Sequence, residues 1–161
     1  MVIKRLSASR LSPDASPRCE LCEQPGGKVL WRDDKCRVVL VADPDYPGFC
    51  RVIWNAHVRE MTDLAGAERR HCMRVVFAVE QALRAVLAPH KINLASFGNR
   101  TPHLHWHVIP RFERDAHFPN PVWGERQRPG RRRKSVDAAS KLRAALAERL
   151  AKSLCRRVAS R

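Results

Sequence analysis

The sequence offers little that would carry it out of a cell or into a membrane. Its apolar stretches are short and broken by charge, so no stretch reads as a membrane-spanning helix. Lys4, Arg5 and Arg10 are not followed by an apolar segment, so the pattern of a secretion signal is missing. Acidic residues are scarce, 16 against 31 Lys+Arg, leaving a net charge of +15 over 161 residues. No glycine-rich loop of the Walker type is present, which excludes the commonest sequence-level phosphate cradle. One C-x-x-C occurs and a second does not, so the local pattern makes no four-cysteine metal site. The six cysteines, without an export signal, read as reduced thiols of a cytoplasmic protein rather than as three disulfides.

What is present suffices for one folded domain with a tail. A hydrophobic content of 44% supports a core and excludes wholesale disorder. The charge is uneven: residues 125–161 carry +10 and the rest of the chain +5. Three segments follow, a flexible leader at 1–17, a domain at 18–124, and a basic tail at 125–161. The tail holds the run Arg131-Arg132-Arg133-Lys134. After it, Val136, Leu142, Leu146, Leu150 and Leu154 fall near one face of a predicted amphipathic helix. That helix is open to three readings: a solvated appendage, a surface for nucleic acid or acidic lipid, or a stripe packed on the domain or a second subunit.

Short β-rich segments at 28–32 and 36–41 flank Asp33-Asp34 as a predicted hairpin, and 49–54 reads as a third strand. Thr62 or Asp63 caps a predicted helix to about Ala88, before Pro89, with Cys72, Val76, Val79 and Leu83 on one face. Strands at 92–97 and 103–109 complete an α+β chain of about five antiparallel strands, one long helix (about 63–88) and a C-terminal helix. Cys36, Cys50 and Cys72 read as core residues. His71 and His117 read as surface residues.

The most informative segment is His103-Leu104-His105-Trp106-His107-Val108-Ile109. On a strand, alternation puts the three imidazoles on one face and Leu104, Trp106 and Val108 on the other. Two chemistries want such a cluster. Imidazoles can hold a catalytic zinc with an open position. Alternatively, the middle one attacks phosphorus while its neighbours orient it and hold phosphate oxygens. The second requires one ring nitrogen to donate a hydrogen bond so that the other is free to attack.

This alternation, with Pro47-Gly48 before a strand, His57 after it, a long helix and Pro110-Arg111 beyond the triad, resembles the signature of the histidine-triad (HIT) superfamily. The resemblance covers roughly residues 19–124. It implies a HIT-like fold and a nucleotide hydrolase or transferase acting on dinucleoside polyphosphates or nucleoside phosphoramidates. It further implies that His105 forms a covalent nucleotidyl-histidine, that His107 contacts the transferred phosphate, and that the backbone at His103 helps orient His105. Asn99, Arg100 and Thr101 stand where many members carry Gln-Ser or Gln-Thr, so these three become the nucleotide- and phosphate-binding candidates. Asp43 is the candidate for the ribose hydroxyls; a turn-forming aspartate before proline is its other reading. Some bacterial-type members hold a structural zinc, which here implies Cys19, Cys22, His57 and His103 as ligands. No organic cofactor is implied, and a homodimer is. The alternative function is a nucleotide- or nucleic-acid-binding protein whose affinity comes from the basic tail and whose turnover is weak or nil.

Overall fold

The computed structural model describes residues 19–130 and 138–158. The leader at 1–17, the run Arg131–Lys134 and Val136 lie outside them, as does the side chain of Leu154. The chain begins with one helical turn, α1 (Glu20–Glu23), and enters a hairpin of β1 (Lys28–Arg32) and β2 (Cys36–Leu40). Asp33 makes the reversal, its Oδ1 accepting the N–H groups of Lys35 and Cys36 at 2.9 and 2.8 Å. Then come β3 (Cys50–Trp54), α2 (Gly66–Leu87), β4 (Lys91–Ala95), β5 (His105–Arg111) and α3 (Ala138–Val158). The five strands form one antiparallel sheet in the order β1-β2-β3-β5-β4, the α+β architecture expected from the pattern.

Period-two alternation divides the sheet into two unlike faces. Val38, Cys50, Val52, Trp54 and Val108 point to one side, where they bury against α2. The helix supplies Cys72, Val75, Val76, Val79, Ala82 and Leu83, the face that the helical spacing predicts. Three thiols are sunk in this core; burial alone pushes Cys50 up to about 12 and Cys72 to about 11, which leaves them unreactive. The opposite side carries Val39, Arg51, Ile53, His105 and His107, with a small apolar cluster of Leu21, Val39 and Ile53.

Helix α2 starts later than Thr62 or Asp63. Residues Met61–Asp63 form a 3-10 turn, and the Glu68 carboxylate accepts the Ala65 N–H at 3.2 Å to open the α-helix at Gly66. The tail is not a detached appendage along its helical part. Leu142, Leu146 and Leu150 are buried in the same core as α2, α3 also touches β1, and Arg143 donates to the Val29 carbonyl at 3.0 Å. That packing occupies the apolar stripe that a lipid-binding helix would need. Among the described residues, no helix is long and apolar enough to cross a membrane.

Candidate active site

The sequence pattern put all three histidines on one strand, but β5 begins only at His105. His103 lies in the bend that follows Pro102, where its N–H bonds back to the Thr101 carbonyl at 2.7 Å. Leaving the ladder frees its ring and its carbonyl for different tasks. The carbonyl accepts from His105 Nδ1 at 2.6 Å. Nδ1 therefore carries the proton, and the lone pair of His105 is on Nε2. The His103 ring turns away, with Nε2 donating to the Trp54 carbonyl at 2.7 Å, so its free lone pair is on Nδ1.

His105 and His107 are 7% and 6% exposed, their rings 4.8 Å apart and nearly perpendicular. They line a cavity of about 730 Å³, large enough for a nucleotide-sized ligand, together with Glu20, Leu21, Arg51, Phe97, Asn99, Arg100, Thr101 and Trp123. Asn99, Arg100 and Thr101 thus lie in the wall of the same cavity as the two histidines. Asp43 is not among the lining residues: its Oδ1 accepts the N–H groups of Asp45 and Tyr46 at 2.9 and 3.2 Å, the turn-forming role. Phe97 and Trp123 are large exposed aromatics whose rings meet edge-on at 4.7 Å, and the His107 ring is 5.4 Å from Trp123. Such a surface stacks a nucleobase without reading its edge. His117 lies elsewhere, half-buried and stacked on Tyr46, to whose hydroxyl it is hydrogen-bonded.

Burial keeps these imidazoles neutral. It is the leading cause that lowers His105, partly offset by the His103 carbonyl, and Arg51 adds to the lowering. For His107, burial, the neighbouring His105 and the charge of Arg51 bring the value down to about 4. A group lowered on folding binds fewer protons folded than unfolded, so stability is complete above the unfolded value of 6.5 and is lost towards about 4. For His107 the loss amounts to at most about 3 kcal/mol. The urea midpoint should fall between pH 6.5 and 4.5, and His107→Gln should flatten that slope. A slope identical in both proteins would show that His107 is not the group responsible.

Cys19, Cys22, His57 and His103 bring one ligand atom each into a single cluster. Nδ1 of His103 lies 3.4 and 3.5 Å from the two sulfurs, and Nδ1 of His57 is 3.4 Å from Cys22 Sγ. A tetrahedral zinc with Zn–S ~2.3 Å and Zn–N ~2.1 Å separates such ligand pairs by roughly 3.6 Å, so the four residues fit that ion. The Trp54 carbonyl that takes the proton of His103 Nε2 is the partner a metal-bound imidazole ordinarily has. Buried Arg37 holds the cysteine turn to the sheet through the carbonyls of Leu21, Gln24 and Pro25. Gly26 completes the fit: its φ is +81°, and a Cβ there would lie 2.8 Å from Ile53 and 2.9 Å from Leu21. The three triad imidazoles do not converge on one point, which removes the geometry of a three-histidine catalytic zinc. A second cluster, Asp33, Cys36 and His71, is a hydrogen-bonded network. His71 Nδ1 accepts from Arg74 and Nε2 meets Asp33 at 2.8 Å, so His71 is half-buried and engaged, not a free surface group.

The residues that pattern reading missed are Arg51, Arg37 and Phe97. Each is polar or exposed at a position whose significance depends on which strand lies beside it.

Comparison with known proteins bears on the family and the fold. A family model described as the HIT domain matches residues 23–114. An AP-4-A phosphorylase of Mycobacterium tuberculosis is 30% identical over 135 residues, covering 79% of this chain and 69% of that protein. A histidine triad protein from Bradyrhizobium japonicum shares the fold at TM-score 0.65 and 25% identity, over 83% of this chain and 96% of that one. A Zn-bound histidine triad family protein from Mycobacterium smegmatis does so at TM-score 0.59 and 23% identity, over 81% and 94%.

Proposed function

Because this chain belongs to the HIT domain family, we propose that it is a nucleotide-processing enzyme that cleaves a phosphoanhydride or phosphoramidate bond through a nucleotidyl-histidine on His105. The observation that carries the reading is the 2.6 Å bond from His105 Nδ1 to the His103 carbonyl, which leaves a neutral Nε2 lone pair inside a nucleotide-sized cavity.

Nε2 attacks the phosphorus attached to the nucleoside. The N–P bond forms as the bond to the leaving group breaks, and the leaving group departs with that electron pair. A phosphate leaving group is stable as an anion, whereas an amine must collect a proton. His107 contacts the transferred phosphoryl group, with Asn99, Arg100 and Thr101 disposed along the chain that carries it. Water then attacks the phosphorus, the N–P bond breaks, and a nucleoside monophosphate is released. The relative named AP-4-A phosphorylase raises a specific second acceptor, inorganic phosphate, which would give a nucleoside diphosphate instead.

Cys19, Cys22, His57 and His103 would hold a structural zinc. Bound there, the ion would tie the cysteine turn to the bend at His103 and so steady the carbonyl on which His105 leans. A homodimer belongs to the same reading.

The test is product analysis on diadenosine tri- and tetraphosphate and on an adenosine phosphoramidate, with and without inorganic phosphate. AMP as product without added phosphate is the expected outcome. ADP formed only when phosphate is present would select phosphorolysis. No turnover of any of the three would reject the enzymatic reading in favour of a binding protein.

A further inference from the structure

An arginine on the inner strand of a sheet needs an explanation, because a guanidinium withdrawn from water loses solvation that some partner must replace. Arg51 is such a residue. It sits in the middle of β3, directly across from His107 on β5, and its neighbours Cys50 and Val52 point to the opposite, helix-covered face. It therefore shares the face of His105 and His107, and it lines the same cavity.

Among the described residues, nothing neutralises it. Its Nε is buried without a hydrogen-bond partner, and among the described residues it makes no salt bridge. Its guanidinium carbon lies 5.7 Å from the centre of the Phe49 ring, and that ring is 5.5 Å from His107. The side chain is thus flanked by an aromatic that limits where it can go. Glu20, the one acid among the described residues that line the cavity, is solvent-exposed and does not pair with it. The other cavity arginine, Arg100, is held differently: it is exposed, on the turn after β4. Arg51 is fixed by the sheet, one strand from the nucleophile.

A half-buried guanidinium whose Nε has no partner, on the same sheet face as the two cavity histidines, matches the nonbridging oxygens of a phosphoryl group. We infer that Arg51 binds the phosphoryl group that His105 attacks, taking two of its nonbridging oxygens through the guanidinium edge. The inference rests on the nucleotide reading of the cavity and adds to it a residue that discriminates a nucleotide from its nucleoside.

The experiment measures AMP and adenosine affinity by calorimetry on the full chain as purified, for wild type, Arg51→Gln and Arg51→Lys. Arg51→Gln should weaken AMP about 10- to 100-fold, the usual cost of losing a charge-assisted bidentate contact, while adenosine changes less than twofold. Arg51→Lys should recover part of the loss, since it keeps the charge and not the fork. AMP affinity within twofold of wild type in Arg51→Gln would overturn the assignment. So would an equal loss for AMP and adenosine, which would make Arg51 a shaping residue of the pocket. If Arg51→Gln does not fold, Arg51→Lys decides: unchanged AMP affinity overturns the assignment, and a several-fold loss specific to AMP supports it. A wild type that binds neither compound sinks the nucleotide reading of the cavity and this assignment with it. A wild type that binds AMP as tightly as both variants sinks only the role of Arg51.

Discussion

Replacing His105 with alanine is expected to lower turnover by at least about a thousandfold, with folding and nucleotide binding retained. The magnitude follows from what is removed. The nucleophile defines the first step, and without it the remaining groups only bind and polarise; nucleophile deletions in covalent enzymes cost from ~10³ to ~10⁶ in kcat. His105 is also well placed to be deleted cleanly. Its ring contributes one hydrogen bond, to the His103 carbonyl, and faces a cavity, so its loss leaves a single carbonyl acceptor for cavity water to serve. Rapid quench with nucleotide labelled at the phosphorus should trap a phosphoramidate adduct in wild type and none in His105→Ala. Retained turnover, or an adduct on another residue, would reject His105 as the nucleophile.

Protein purified without added metal should contain one zinc per chain by elemental analysis, and Cys22→Ser should lose most of it. Thermal stability should fall with the metal, on the order of 10 °C, the effect of a few kcal/mol on a domain of this size. The physical argument is local. His103 is fully buried with its Nδ1 lone pair directed between two sulfurs, while Cys22 and His57 are exposed and have few apolar contacts to fix them. Burial, and after it the neighbouring Cys19, push the Cys22 thiol up, so without a cation Cys22 favours the neutral form. Metal-free wild type, or a Cys22→Ser variant as stable as wild type, would reject the site. A decrease in activity should accompany zinc loss and be smaller than that of His105→Ala, since only the orientation of the His103 carbonyl is disturbed.

Much of the fold could be read from the chain because its signals are local. Val29, Val38, Val39, Val52 and Ile53 are β-branched residues in short runs bounded by turn formers, and Cys72, Val76, Val79 and Leu83 repeat at helical spacing. The start of α2 was less legible because capping by Glu68 outcompeted the earlier cap at Thr62 or Asp63. The tail helix was legible as an amphipathic helix and not as part of the core, since the stripe of Leu142, Leu146 and Leu150 does not say what it packs against. In the site, the triad, the C-x-x-C and His57 carry fixed spacings that sequence reveals. Asp43 shows the limit: an acid before proline near the right place in the chain is held by its own turn.

By itself, the sequence determined which residues could do the chemistry: three histidines at alternating positions, two cysteines at knuckle spacing, and a basic excess concentrated at one end. Only the tertiary structure decided how they divide the work. His103 leaves the strand, gives its carbonyl to His105 and its ring to the cysteines, while Arg51 joins the face of His105 and His107 from the neighbouring strand. The reason is that alternation fixes the face of a side chain from its neighbours in sequence, whereas its hydrogen-bond partners are set by which strand pairs beside it, and that pairing is non-local.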